Sequence, residues 1–230
     1  MILIPAGSFT LGVNPSSEIS SFMSDSTLAK NAQPQQEVFV DAFYLDIHEV
    51  SYGDFIRFKP KAKYYQGRFN HPVRGVSWYE AEAYCLWLGK RLPTEFEWEK
   101  AARGAVDDRL YVWGNEFDRS KANFGKTVQP SGNWPTDRSE FGVFDLNGNV
   151  SEWTSSWYLP YGGSSHKDAH YGKKLKVIRG GAINKREHGF LKEFALVSYR
   201  NTAPPQMRAW DTGFRCARSP RPEEQSSPRS

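Results

Sequence analysis

Asp145-Leu-Asn-Gly-Asn-Val-Ser-Glu152, followed by Trp153 and Thr154, is the most distinctive stretch of this sequence. Its Asn-Gly pair predicts a tight turn, and the turn lies between two carboxylates. A hard cation such as Ca²⁺ prefers this arrangement, because carboxylates can bind it from both ends of a turn while backbone carbonyls bind it from between. A turn whose acids are simply solvated also explains these residues, and on the residues alone it is the simpler interpretation.

Two helix starts are clearly marked in the first half of the chain. Ser77 and Glu80 have the spacing of a capping box, and so do Thr94 and Glu97. In this motif the hydroxyl accepts from the third backbone N–H, and the carboxylate accepts from the backbone N–H of the cap. Gly89 is a natural end for the first helix. The sequence therefore predicts two short helices in close succession.

Short strands are predicted on both sides of a polar loop. Residues 1–12 contain two apolar runs separated by a Pro-Ala-Gly turn, which predicts two strands. Residues 14–36 are rich in Ser, Asn, Gln and Pro and predict a surface loop. Residues 37–46 alternate with the period of one half-buried strand. Residues 106–216 are punctuated by glycines, so we expect short turns and strands there and little regular structure.

Composition excludes several classes of protein. Aromatic residues make up 15% of the 230 residues, which is too many for a disordered chain. The formal charge is +4, but basic and acidic residues are interspersed. The basic cluster at 173–176 is interpreted as a solvated face, so we expect no nucleic-acid partner. No apolar run approaches the roughly 18 residues that cross a bilayer, and no targeting segment is recognisable.

Seven motifs, in this order and at suitable spacing, resemble those of the formylglycine-generating enzyme, or sulfatase-modifying factor, family. They are Met1–Phe9, Phe43–Ser51, Pro72–Trp78, Ala83–Glu95, Asp145–Thr154, Arg179–Gly181 and Gly213–Ala217. The resemblance covers residues 1–218, and it implies an α+β fold related to the C-type lectins, with little regular secondary structure and loops stabilised by calcium. Residues 219–230 are polar and rich in proline, and we expect a disordered tail.

The two cysteines leave two possibilities when the residues alone are considered: one disulfide or two buried thiols. The resemblance implies that Cys85 and Cys216 form a disulfide. A structural disulfide in turn implies an oxidising compartment, such as the periplasm or the cell exterior.

The resemblance also implies which residues bind calcium. Asp145 and Glu152 would supply side-chain oxygens, and Gly148 and Val150 would supply backbone carbonyls. A second family site begins at Asn123. Its acidic partner is harder to place because the following segment is shorter than usual, and Asp137 is the candidate.

The resemblance implies that catalysis in this family depends on two cysteines that this sequence lacks. Catalytic members of the family hold copper with two cysteines after the Arg-Gly-Gly step, and residues 182–200 contain none. Cu(I) selects thiolate and thioether ligands, so formylglycine generation is not expected. Glu187 and His188 are candidates for a harder metal or for acid–base work, although a solvated loop contains such residues as well. Trp210 is a candidate for a binding surface, with core packing as the plainer alternative.

The leading functional hypothesis is a non-catalytic binding or structural subunit, accessory to a larger extracytoplasmic assembly, that holds calcium and contacts a protein partner or small ligand. The alternative is an oxidoreductase or maturation enzyme that uses a non-cysteine metal site in the same cleft. Nucleic-acid binding driven by the basic isoelectric point is a third hypothesis, and we expect none.

Overall fold

The computed structural model describes residues 1–14, 30–61, 68–105, 109–183 and 192–225. In chain order its elements are β1 (Ile2–Ile4), β2 (Gly7–Leu11), β3 (Gln36–Val40), β4 (Phe43–Leu45), α1 (Tyr52–Phe58), α2 (Trp78–Trp87), α3 (Glu95–Arg103), β5 (Ser151–Trp157), β6 (Lys176–Arg179), a 3-10 helix (Lys192–Ala195), β7 (Asn201–Ala203), β8 (Thr212–Gly213), β9 (Ala217–Arg218) and α4 (Pro222–Gln225).

The strands in the described ranges form three small sheets, in the orders β1-β4-β9, β2-β3 and β7-β6-β5-β8. The two strands predicted within residues 1–12 are confirmed as β1 and β2. The prediction of a single strand over residues 37–46 is wrong, because this segment contains two strands. Strand β3 pairs with β2, while β4 pairs with β1 and β9 in another sheet. Apolar residues continue to alternate from β3 into β4, so the period of the sequence does not show where one strand ends and the next begins.

Both predicted capping boxes are confirmed. Ser77 Oγ accepts from the backbone N–H of Glu80 at the start of α2, and Thr94 Oγ1 accepts from that of Glu97 at the start of α3. Gly89 follows α2 with a φ of 66°, a left-handed conformation that glycine adopts without strain. Helix α1 was not predicted, although Ser51 caps it in a similar way.

A disulfide between Cys85 in α2 and Cys216 beside β9 confirms the pairing that the resemblance implied, with the two Cα atoms 5.6 Å apart. It lies in an apolar cluster where Tyr84 packs against Phe214, their ring centroids 5.4 Å apart. The bond closes a loop of 131 residues. In the chain-entropy model such a closure stabilises the fold by about 4–5 kcal/mol.

Helix α3 is tied to the rest of the fold by buried ion pairs. Arg103 Nη2 lies 2.9 Å from Glu99 Oε1, and Arg179 in β6 donates to the other oxygen of Glu99. Glu95 accepts two bonds from Arg200, at 2.7 and 2.9 Å. Because removing one partner leaves a buried charge uncompensated, breaking such a pair costs about 3–5 kcal/mol. The network fixes α3 against β6 and the segment before β7.

The long connection from α3 to β5 contains turns and isolated bridges in its described part, residues 104–105 and 109–150. This confirms the expectation of little regular structure there. Within the tail that we expect to be disordered from residue 219, residues 222–225 form α4. Arg218 Nη1 lies 2.7 Å from the Glu224 carboxylate and holds this short helix against the domain.

Candidate metal centre

The loop that leads into β5 turns its polar side chains inward. Asp145 and Asn149 have φ values of 58° and 68°, a left-handed conformation that these two residue types tolerate. As a result Asp145, Asn147, Asn149 and Glu152 are all buried, with about 1% or less of each exposed. The interpretation in which the acids of this turn are solvated is therefore wrong. Each buried polar atom in the loop needs a partner within the protein.

Two asparagines fix the shape of this loop. Asn147 Oδ1 accepts from the backbone N–H of Val112 at 2.9 Å, and its amide donates to the carbonyl of Ala195. Asn149 Nδ2 donates to Glu49 Oε1 at 3.0 Å, and its Oδ1 accepts from the backbone N–H of Gln129 at 3.0 Å. The loop is thus anchored to four separate segments of the chain.

The residues predicted for a second site lie against the same loop. Asn123 Nδ2 donates to Asn149 Oδ1 at 2.9 Å. A Cβ atom on Gly148 would lie 2.8 Å from the backbone nitrogen of Asn123, so this close approach requires glycine. The Asp137 carboxylate accepts from the backbone N–H of Asn147 at 3.0 Å. The structure therefore brings Asn123 and Asp137 together with the first predicted site.

Glu152, the predicted acid at the far end of the loop, forms an ion pair and a hydrogen bond with other side chains. Its Oε2 lies 2.7 Å from Arg215 Nε, and its Oε1 lies 2.6 Å from Arg215 Nη2. Trp98 Nε1 also donates to Oε2, at 2.9 Å. The Arg215 charge balances this carboxylate, so Glu152 brings no free negative charge to the loop. Val150, a predicted carbonyl ligand, packs with Val128 and Ile183.

A different acid faces Asp145. Glu49 Oε2 and Asp145 Oδ1 are both buried and without a hydrogen-bond partner, while their other oxygens accept from Asn149 and from the backbone N–H of Gly132. The Ser131 hydroxyl lies beside Glu49 and makes no hydrogen bond of ordinary geometry. Burial, followed by the charge of Asp145, raises the pKa of Glu49. Burial also raises the pKa of Asp145.

These unpartnered atoms are the hard oxygen donors that Ca²⁺ prefers. Glu49, Asp145 and Ser131 would hold such an ion; of these three residues, the sequence predicted Asp145. Across the described ranges, no group of three Asp, Glu, His or Cys side chains is arranged to hold a metal ion. An ion at this point would therefore need neutral oxygens besides the two carboxylates.

Glu49 also lines a surface cavity of about 450 Å³. Asp46 and Lys90 form an ion pair at 2.7 Å along its wall, and Trp87 contributes an exposed ring. Glu49 thus belongs both to the pair of buried acids and to the lining of this cavity.

Of the remaining predicted residues, the structure describes Trp210 alone. Glu187 and His188 fall outside the described residues. Trp210 is 37% exposed, and Arg74 Nη1 donates to its backbone carbonyl at 3.0 Å. Glu49 and Arg215 are the residues that sequence reasoning missed as site members. Both lie in the quoted family motifs, but their partners are distant in sequence, so no local signal marked their roles.

No helix in the described part of the chain is both long and apolar enough to cross a membrane.

Comparison with known proteins shows which family this chain resembles. The Sulfatase-modifying factor enzyme 1-like domain profile matches residues 1–220. "Inactive C-alpha-formylglycine-generating enzyme 2" from Mus musculus is 37% identical over 167 residues, which cover 66% of this chain and 51% of the relative. "Serine/threonine-protein kinase pkn1" from Chlamydia caviae is 32% identical over 222 residues, which cover 82% of this chain and 35% of the relative. The chain thus spans about half or less of the length of these two relatives.

A solved structure, "Structure of PvdO from Pseudomonas aeruginosa", superimposes with a TM-score of 0.72 at 25% identity. The match covers 94% of this chain and 93% of that chain. The fold is therefore the α+β, C-type-lectin-related fold that the motifs implied.

Proposed function

Because the chain belongs to the sulfatase-modifying factor enzyme 1-like domain family, we propose that it is a non-catalytic binding or structural subunit on that family's scaffold. One observation carries the proposal: both cysteines of the sequence, Cys85 and Cys216, are joined in a disulfide. The family resemblance places two further cysteines after Arg179-Gly-Gly181 in catalytic members, and this sequence has none there. A copper site that depends on thiolates lacks its ligands.

The mouse relative that is named inactive supports this proposal, since a protein of this family can exist without the family's reaction. The scaffold itself is intact: the disulfide, the capped helices and the buried ion pairs hold its loops in place. A rigid scaffold of this kind can present surfaces for binding.

Metal analysis distinguishes a non-catalytic subunit from an enzyme that holds a redox metal without cysteine ligands. The protein is purified without chelators and its metals are measured by mass spectrometry, together with those of a Glu187→Gln/His188→Asn variant. We expect no stoichiometric iron or copper in either protein. Stoichiometric iron or copper that disappears in the variant would contradict the non-catalytic proposal and support an oxidoreductase.

The scaffold role includes a calcium ion held by Glu49, Asp145 and Ser131. The unpartnered buried oxygens of these residues support it. When bound, the ion would neutralise the two adjacent carboxylates and hold the 145–152 loop against residues 49 and 131. In the stripped protein, calcium should raise the melting temperature in a concentration-dependent way, because a ligand that binds only the folded state stabilises it. The absence of any shift would contradict this role.

We extend the proposal to an extracytoplasmic location and a larger assembly. The disulfide supports the location, because such bonds persist in oxidising compartments. When native cells are lysed directly into denaturant that contains an alkylating reagent, the two cysteines should stay unlabelled until they are reduced. In size-exclusion chromatography of a native extract, the protein should elute above the mass of its own polypeptide. Labelling without reduction contradicts the location, and elution at the polypeptide's own mass contradicts the assembly.

A further inference from the structure

A second cavity, of about 310 Å³, lies where α1 ends, α2 begins and residues 72–76 meet residues 204–210. Its volume is at the lower end of the range of small-molecule sites. Its floor is formed by buried side chains of the main apolar cluster, namely Tyr52, Phe55, Val73 and Val76. The floor can therefore take an apolar group without rearrangement of the core.

The walls of this cavity are strongly basic. Its lining includes the cations Lys59, Lys61, Arg74 and Arg208, against one carboxylate, Glu80. Lys59 and Lys61 follow α1, whereas Arg74 and Arg208 lie on two other segments. Four cations from three separate segments thus converge on one opening, with three positive charges in excess.

Glu80 positions two of these cations. Lys59 donates to its Oε1, and Arg208 Nη1 lies 2.7 Å from its Oε2. Burial opposes ionisation of Glu80, but hydrogen bonds from Lys59, the Ser77 backbone and Arg208 outweigh it and lower the pKa to about 2. The carboxylate is therefore ionised at neutral pH and holds Lys59 and Arg208 beside the cavity.

Arg74 carries one of the positive charges that Glu80 does not balance. Its Nη1 donates to the neutral carbonyl of Trp210, and its guanidinium lies 5.9 Å from the centroid of that ring. No carboxylate within the described ranges pairs with it. Burial, followed by the charges of Arg68 and Arg74, lowers the pKa of nearby His71. Burial is the larger cause of this shift, and the two positive charges act in the same direction.

We propose that this cavity binds a small organic anion, whose carboxylate, phosphate or sulfate group lies between Arg74 and Arg208 and whose apolar part rests on Val73 and Val76. Guanidinium groups suit such a ligand because they donate two parallel hydrogen bonds to a planar or tetrahedral oxyanion. This inference gives the proposed binding role a ligand class, and it rests on that role.

Phenyl phosphate is a suitable probe, because it joins an oxyanion to an apolar ring. Calorimetric titration at low ionic strength should show saturable binding of phenyl phosphate to the whole protein, weaker binding of inorganic phosphate and no binding of benzyl alcohol. Arg74→Ala and Arg208→Ala should each weaken phenyl phosphate binding about tenfold, as expected for loss of one charge-assisted contact. Lys174→Ala, at an exposed lysine outside the cavity, serves as the control.

Three results would overturn the inference: no saturable binding in the millimolar range, equal binding of benzyl alcohol, or an affinity unchanged in both arginine variants. Melting curves of the variants show whether they are folded, and Arg208→Lys provides a second variant that keeps the charge. Catalytic turnover is a separate measurement, so failure to bind the probe leaves the non-catalytic proposal standing.

Discussion

Glu152 and Arg215 form a buried two-point ion pair, with Oε2 2.7 Å from Nε and Oε1 2.6 Å from Nη2. The pair joins the end of the 145–152 loop to the 213–217 motif, and both side chains are almost completely buried. The last acid of the most distinctive stretch of the sequence is therefore a structural counter-ion in this fold. The free oxygens lie instead between Glu49 and Asp145.

Glu152→Gln should strongly destabilise the protein whether or not calcium is present. The substitution leaves the Arg215 charge buried without its partner, which costs about 3–5 kcal/mol. Urea denaturation with calcium and with a chelator measures this loss in the free energy of unfolding. The exposed Glu116→Gln is the matched control, with an expected change within about 0.5 kcal/mol. A loss confined to the calcium-containing samples would instead assign Glu152 to the metal.

Glu49→Gln should abolish the stabilisation by calcium. In the wild-type protein, calcium at a hundred times its Kd should add about 2.7 kcal/mol to the free energy of unfolding. In the chelated state the variant should be at least as stable as the wild type, because one of two adjacent buried carboxylates has been neutralised. Thermal melts with added calcium test both expectations. An undiminished calcium response in Glu49→Gln would place any bound ion elsewhere.

Replacing both cysteines, in a Cys85→Ala/Cys216→Ala variant, should lower the free energy of unfolding by about 4–5 kcal/mol. The expected cause is the added chain entropy of the unfolded state, since the bond spans 131 residues. Denaturation of the wild type with and without a reductant is the comparison. Equal stability of the oxidised and reduced wild type would show that the crosslink contributes nothing.

Lys176 should make stability rise with pH on the alkaline side. Its ammonium lies 3.9 and 3.8 Å from the ring centroids of Trp78 and Trp157, and burial lowers its pKa to about 8. Above that pH the folded state binds fewer protons than the unfolded state, so stability increases until the unfolded lysine also loses its proton near pH 10.4. Denaturation between about pH 7 and pH 10 measures this rise.

Lys176→Met should remove that increase, whereas Lys174→Met, at an exposed position, should keep it. A wild-type stability that falls steadily from about pH 7 to pH 10 would mean that the two tryptophan rings hold the ammonium charged, and the predicted direction would be wrong.

Local signals explain what the sequence could predict. Helices α2 and α3 start at capping boxes whose bonds span three residues, so Ser77 and Thr94 marked them directly. The disulfide between Cys85 and Cys216 came from the family motifs, because two cysteines alone do not define a bond. The break between β3 and β4 was missed, since the choice of pairing partner decides it.

Long-range partners explain what was missed at the candidate site. Glu49 lies 100 residues before Asn149, and Arg215 lies 63 residues after Glu152. A motif identifies an acid as important without naming its partner. Only the folded arrangement shows that Arg215 neutralises Glu152 while Glu49 faces Asp145.

The central claim is that this scaffold lacks the family's reaction, and turnover of a cysteine-containing sulfatase peptide tests it most directly. The purified protein is incubated with the peptide, copper and oxygen, and an active formylglycine-generating enzyme is run in parallel. We predict that mass spectrometry will find the peptide cysteine unchanged while the active enzyme converts it. Conversion of that cysteine to formylglycine by the present protein would contradict the claim.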